Sequence, residues 1–269
     1  MKRTADVVIV GAGVIGSATA FELAKRGYKT LNIDKLPASG YGSTSNSCAI
    51  VRAHYSTWDG VAMAYEGFFY WDDWNKYLEV EDERGMAKYM KTGSIMFMLK
   101  GADHTQKSLK LFKQIGVEQE VWDLETLKKK MPIYSHDSFN GTSRPDEDDS
   151  FFDKSGDQIE GAVWTPGSGY VSDPQLSTHN LQVATEAKGG EFLFNAEIME
   201  IRQSNGQIQG VTLESGEQID CKVLVNVAGP HSFIINQMAG VEDDMNIKTK
   251  ALRHEVHHCL LYTSDAADE

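Results

Sequence analysis

Six residues near the amino terminus, Gly11-Ala12-Gly13-Val14-Ile15-Gly16, limit what this chain can fold into more than any other stretch. An apolar run, Ala5 to Val10, leads into them and ends at a glycine, as a buried parallel strand does. Behind them Val14, Ala18, Phe21 and Ala24 recur at helical spacing as far as Arg26, with Gly27 placed to stop the helix. Lys29 to Ile33 reads as a second strand, closed by Asp34 and followed by Lys35. The order strand, glycine turn, helix, strand is one βαβ unit. In such a unit Gly11 allows the tight turn, Gly13 lets backbone approach a pyrophosphate, and Gly16 lets helix and strand pack closely. The helix start, with Val14 and Ile15, offers N–H groups and partial positive charge to an anion. Asp34 is placed to accept a ribose hydroxyl. A purely structural glycine turn needs none of this context, so the loop reads as a dinucleotide site. NAD and FAD both remain open on these residues alone.

The 269 residues suffice for one large domain or two ordinary ones, and 41% hydrophobic with 24% charged residues is a globular balance. A formal charge of −13 argues against nucleic acid and anionic membranes, which need a basic footprint. Cys48, Cys221 and Cys259 make no disulfide framework, so a reducing, cytoplasmic setting is expected. No apolar run is long enough for a bilayer span. Met1-Lys2-Arg3 and the Ala18-Thr19-Ala20 triplet mimic a signal peptide, but Asp6 and the glycines interrupt the apolar stretch.

Further along, Asp59 to Leu78 is an aromatic-rich segment expected to be helical and core-facing. Ser94 to Leu99 reads as a strand, Asp103 to Gly116 as a helix, and Asp123 as the cap of a short helix ending before Pro132. Arg144 to Glu160 concentrates acidic residues without EF-hand spacing, so a solvated loop is expected and no metal site. Asp173-Pro174 opens a helix that Gly189-Gly190 ends. Ser204-Asn205-Gly206 marks a hairpin between Glu197–Arg202 and Gln207–Leu213, and Cys221 to Val227 reads as another buried strand.

The stretch Gly42-Ser43-Thr44-Ser45-Asn46-Ser47-Cys48-Ala49-Ile50-Val51-Arg52-Ala53-His54-Tyr55 resembles FAD-dependent amine oxidoreductases of the D-amino-acid oxidase superfamily. The nearest likeness is to sarcosine oxidases, above all the multi-subunit form's flavin-bearing beta subunit, and to dimethylglycine dehydrogenases. Trp58-Asp59, Tyr65-Glu66 and Trp71 fit that pattern, as do Gly169-Tyr170-Val171-Ser172-Asp173-Pro174 and the Val223–Ser232 block with Asn226-Val227-Ala228-Gly229-Pro230. The resemblance implies an α/β chain: a Rossmann-like FAD-binding domain with an interleaved α+β substrate domain, incomplete at the C-terminus. It implies FAD-binding segments at 1–83 and 161–235, and substrate segments at 84–160 and 236–258. FAD is the implied cofactor, with Gly42, Ser43, Thr44, Ser45, Ala228 and Gly229 joining Gly11, Gly13, Val14, Ile15, Gly16, Asp34 and Lys35 around it. Arg52 matches the family's substrate-side arginine, suited to clamp a carboxylate; a surface salt bridge is its bland alternative. Some relatives attach flavin covalently to a histidine in this stretch, whereas Thr44 and Ser45 stand here, which implies no such link. His54 and Tyr55 lie close to Arg52 in sequence, but a lone histidine is more often structural. The implied reaction is oxidation of a C–N bond in a secondary or tertiary amine or amino acid, with oxygen or an electron-transfer protein as acceptor. A nicotinamide-dependent dehydrogenase and a non-catalytic FAD-binding subunit are the alternatives.

Near the end, His254-Glu255-x-x-His258 fits a zinc-peptidase pattern. That pattern works on a helix; here the segment resembles a strand of the family, where the two histidines would stand about 13 Å apart. Cys259 to Glu269 resembles the translation of a transposase-type sequencing adapter. A non-native tail, a natural protein that continues past His258, and an inactive 269-residue chain are therefore expected.

Overall fold

The computed structural model describes residues 3–101, 103–140 and 146–253. They fall into two compact units: residues 3–49, 74–88 and 171–253 in one, Ile50–Asp73 and Tyr89–Tyr170 in the other.

The first unit is built on β1 (Val7–Val10), α1 (Val14–Lys25), β2 (Thr30–Ile33), α2 (Pro174–Ala187), β3 (Glu191–Leu193) and β4 (Val223–Asn226). Its sheet is wholly parallel, in the order β3-β2-β1-β4, with Val8 opposite both Leu31 and Leu224. The β1 and β2 sequences do not alternate because both faces are covered. On one face Val7 and Ile9 meet Ala20 of α1. On the other, Val8, Val10, Leu31 and Ile33 meet Ile198, Ile201, Val211, Leu213 and Ile219 of an antiparallel meander, Ile198–Ser204, Gln207–Leu213 and Gln218–Asp220. Val8 and Ile9 are fully buried, worth about 1.5–3 kcal/mol each.

Local chemistry sets the ends of these elements where the sequence placed them. Gly27 (φ +87°) ends α1: its N–H donates to the Ala24 carbonyl, and that of Tyr28 to the Leu23 carbonyl. Asp173 caps α2 through Leu176 N–H at 2.8 Å. Asn205 and Gly206 take φ of +51° and +72°, the pair of positive angles a two-residue hairpin turn needs. Buried Asn180 of α2 then ties Trp74–Lys88 into the unit. Its Nδ2 donates to Asp82 Oδ2 (2.8 Å) and the Gly85 carbonyl (2.9 Å), while its Oδ1 accepts from Trp74 Nε1 (3.2 Å) and Ala87 N–H (2.9 Å).

In the second unit Gly161–Thr165 is the central strand of a three-stranded antiparallel sheet, flanked by Ser94–Met98 and Glu120–Asp123. Val163 packs with Ala53, Val61, Phe68 and Phe112, and Ala162 with Trp122, Leu127 and Ile159. A smaller sheet joins Ile50–Val51, Gly169–Val171 and Tyr89–Met90.

Two expectations change. The aromatic segment over 59–78 forms two helices, Trp58–Asp72 and Trp74–Leu78, because its side chains serve two cores: Phe68 lies in the second unit's, Trp74 and Leu78 are buried in the first. The acidic segment is not loop throughout, since Lys154–Gln158 pairs with Asp137–Phe139 as an exposed hairpin. Within it Asp157 pairs with Lys100, Lys154 with Asp137 of the partner strand, and Asp148 accepts from the Ser150 N–H and hydroxyl. Among the described residues no group of His, Cys, Asp or Glu is arranged to hold a metal ion. None of their helices is long and apolar enough to cross a membrane. The His254–His258 pattern and the tail after it lie outside the described residues.

Candidate dinucleotide site

Strand order reverses between β1 and β4, since β2 lies on one side of β1 and β4 on the other. In open parallel sheets a ligand binds in the crevice beyond the carboxyl ends of strands at such a switch point. The residues at these two ends are Gly11 and the Val227–Gly229 turn, and they touch. A Cβ at Gly11, whose φ is +110°, would fall 2.5 Å from the Val227 carbonyl oxygen. A Cβ at Gly16 would fall 2.1 Å from the Gly11 carbonyl oxygen, so α1 lies on the turn as only glycine permits. Gly13 differs: its nearest neighbour is Thr44 Oγ1 at 3.3 Å, and the space above it is open to a ligand's approach.

The loop is held from three directions. Asp34 Oδ2 accepts from Ala12 N–H at 2.7 Å, and its Oδ1 from Leu36 N–H at 2.9 Å. Asn32 Nδ2 donates to the Gly11 carbonyl at 3.3 Å. Gly40 N–H donates to the Ala12 carbonyl at 2.8 Å, bringing the segment after β2 back across the loop. Thr44 Oγ1 then accepts from Val14 N–H at 3.1 Å. Gly13, the N-cap, supplies no side chain, Ile15 is exposed while Gly16 and Ser17 are buried, and no acidic side chain in the first turn of α1 offsets its dipole.

Gly11, Gly13, Val14, Ile15, Gly16, Asp34, Thr44, Ala228 and Gly229 are therefore in one neighbourhood. Ser45 and Gly42 belong to the same loop: Ser45 N–H donates to the Gly40 carbonyl and its Oγ to the Gly42 carbonyl. Ser43 is the exposed residue between half-buried Gly42 and Thr44. Lys35 reaches instead toward Glu197, at 3.5 Å. Asn32 was not singled out in the sequence, and Asn226 was named only as part of the Val223–Ser232 block. Their signal was a polar residue inside an otherwise apolar strand, Thr30-Leu31-Asn32-Ile33 and Val223-Leu224-Val225-Asn226.

The dinucleotide geometry admits more than one cofactor; comparison with known proteins decides. The family model for FAD dependent oxidoreductases, DAO, matches residues 6–263. The chain belongs to that family. FAD is accordingly the dinucleotide, and the glycine cradle, open approach at Gly13 and outward helix terminus fit its pyrophosphate. The beta subunit of sarcosine oxidase from Rhodobacter capsulatus is 28% identical over 98% of the chain and 58% of its own length. The mitochondrial pyruvate dehydrogenase phosphatase regulatory subunit of Mus musculus is 24% identical over 94% of the chain and 26% of its own length. The L-proline dehydrogenase structure from P. horikoshii shares the fold, with a TM-score of 0.72 at 22% identity, covering 90% of this chain and 57% of that one. The chain thus spans about a quarter to three-fifths of these relatives.

Arg52 follows the Ile50–Val51 strand in the second unit, exposed and, among the described residues, without a hydrogen bond or ion pair. The salt-bridge alternative for it therefore has no partner there. His54, two residues on, turns inward. Its Nε2 lies 3.0 Å from Thr165 Oγ1, which lies 2.8 Å from Ser94 Oγ and 2.9 Å from Ser168 Oγ, and its ring stacks on Phe112. Burial, with a smaller push from the Arg52 charge, lowers the imidazole to about 4. It is neutral at physiological pH and anchors the segment that carries Arg52, just after the Ile50–Val51 strand.

Proposed function

We propose that the protein oxidises the C–N bond of a secondary or tertiary amine or an amino acid, of the sarcosine or dimethylglycine kind. The observation that carries the reading is the glycine loop of α1 set at the switch point between β1 and β4, in a chain of an FAD-dependent family. FAD, when bound, supplies the two-electron oxidation. The chain's own residues do the rest: Gly11, Gly13, Gly16 and the α1 terminus receive the pyrophosphate, with Ser43, Thr44, Ser45, Ala228 and Gly229 around it. Asp34 offers free lone pairs to the ribose, and Lys35 flanks it. Arg52, without an ion pair among the described residues, takes the substrate carboxylate bidentately.

In this reading the FAD-binding segments are 1–83 and 161–235 and the substrate segments 84–160 and 236–258; the two compact units divide differently, with Ile50–Asp73 in the second and residues 236–253 in the first. The electron acceptor is oxygen or an electron-transfer protein, the setting cytoplasmic. The longer relatives support the expectation that the 269-residue chain alone is inactive and that a longer parent turns over substrate.

The mouse regulatory subunit, similar over 94% of the chain, favours a second reading: a non-catalytic FAD-binding subunit. One experiment separates them. The parent protein, purified yellow, is mixed anaerobically with N-methylated glycines. Bleaching of the flavin band, abolished by Arg52→Ala with the yellow colour retained, supports oxidation; a parent that never bleaches supports the scaffold.

A further inference from the structure

β4 ends in a residue that breaks its own pattern. Val223, Leu224 and Val225 are apolar, and Leu224 lines the core between sheet and meander, yet Asn226 takes the next position on that same face. A half-buried amide must satisfy its donors and acceptors, and Asn226 does so with three parts of the chain. Its Nδ2 donates to the Ser232 carbonyl at 2.8 Å and to Asn236 Oδ1 at 2.7 Å, both in the helix Ser232–Met238. Its Oδ1 accepts from Ala228 N–H at 3.3 Å, two residues on. That last bond closes an Asx-type turn around Val227.

The turn so closed is the wall against which the glycine loop rests. Val227 N–H continues the β1 pairing by donating to the Val10 carbonyl at 3.1 Å. Its carbonyl oxygen lies 2.5 Å from the missing Cβ of Gly11, and its Cγ2 lies 3.2 Å from that of Gly16. Gly229 follows at φ +59°, leaving the turn in a conformation glycine favours. No slack exists between turn and loop, so a displacement of the turn moves Gly11 or opens the contact.

We propose that Asn226 is a positioning residue: through Ala228 N–H it fixes the Val227–Gly229 turn against Gly11 and thereby sets dinucleotide affinity without touching the dinucleotide. The inference rests on the FAD reading for its effect on affinity, but the turn itself can be followed without ligand. Two measurements on the full chain test it: FAD titration by quenching of flavin fluorescence, and amide exchange of the peptide containing Ala228 in the ligand-free protein. Asn226→Ala removes all three bonds. Asn226→Ser keeps a short oxygen that can accept from a backbone N–H two residues on. Asn236→Ala removes one of the two ties to the helix, together with the Asn236 contact to Met245 Sδ, and leaves the Ser232 and Ala228 bonds in place.

Asn226→Ala is expected to weaken FAD binding about tenfold and to speed Ala228 exchange by a similar factor, the scale of one lost hydrogen bond with its orphaned partner. Asn226→Ser should restore most of both, and Asn236→Ala should change each by less than about twofold. FAD affinity unchanged in Asn226→Ala overturns the proposal, as does an equal loss in Asn236→Ala, which would make helix stability the cause. If the unmutated chain takes up no FAD, the functional reading falls while exchange still decides. Acceleration confined to Asn226→Ala sustains the positioning role, and its absence overturns it. If Asn226→Ala does not fold, tenfold faster exchange in Asn226→Ser is the overturning result.

Discussion

Gly16 and Gly67 are both helical glycines, and replacing each with alanine should move stability in opposite directions. In a helix interior alanine is favoured over glycine by about 0.5–1 kcal/mol, because glycine loses more backbone freedom on folding. At Gly67, in the helix Trp58–Asp72, a Cβ meets nothing within 4 Å, so Gly67→Ala should gain that amount in full. At Gly16 the same Cβ lies 2.1 Å from the Gly11 carbonyl oxygen and 3.0 Å from its carbon. Both are backbone atoms, fixed by β1 pairing below and by the Asn32 and Asp34 bonds to the loop, so no rotamer change relieves the clash. α1 must lift from β1 by roughly 1 Å, overpacking that costs about 1–3 kcal/mol and at this distance sits at the upper end. Against the propensity gain, Gly16→Ala should lose about 2 kcal/mol net. With about 2–4 °C per kcal/mol, its melting temperature should fall by roughly 4–8 °C while that of Gly67→Ala rises by a few. Thermal melts of both variants by far-ultraviolet circular dichroism read this directly. Gly16→Ala melting at or above the unmutated protein would refute the close approach of helix and loop on which the site rests.

Further consequences concern the other buried polar groups. His54 is held at about 4 against an ordinary 6.5, so the unfolded chain takes up a proton that the folded one refuses. Its contribution is present in full above about pH 6.5 and lost as pH falls toward 4; partial exposure reduces it to about 1–2 kcal/mol. Urea midpoints at pH 7 and pH 4.5 should therefore differ less in His54→Gln than in the unmutated protein, and equal differences would contradict the burial. Asn180→Ala leaves the Trp74 indole N–H, Ala87 N–H, Asp82 and the Gly85 carbonyl short of a partner each. It should cost about 3 kcal/mol or more, read as a drop in urea midpoint; a cost under about 1 kcal/mol would mean water replaces the amide.

The first unit was legible because its signals are local. The apolar run before Gly11, the Gly27 stop, the Asp173 cap and Asn205-Gly206 each dictate one backbone conformation, and the structure realises each. The glycine loop was legible for the same reason. What local reading could not give was pairing across sequence distance. Gly161–Thr165 is a plain apolar run whose partners lie some forty and seventy residues away, and nothing within it names them. The break at Asp73 was hidden because aromatics at one spacing serve two different cores. Asn226 was hidden because its partners, Ser232 and Asn236, are fixed only by the turn it helps to close.

The central claim is that the α1 glycine loop receives the pyrophosphate of FAD, and Gly13→Ala tests it most directly. A Cβ there meets only Thr44 Oγ1, at 3.3 Å, so the protein should fold with its melting temperature nearly unchanged. The new methyl group would stand where the dinucleotide must approach the backbone. Equilibrium titration of FAD against both forms should show binding to the unmutated chain and a loss of about a hundredfold or more in Gly13→Ala, the ~3 kcal/mol of a phosphate held off its N–H donors. Equal affinity in the two forms would place FAD elsewhere and contradict the account.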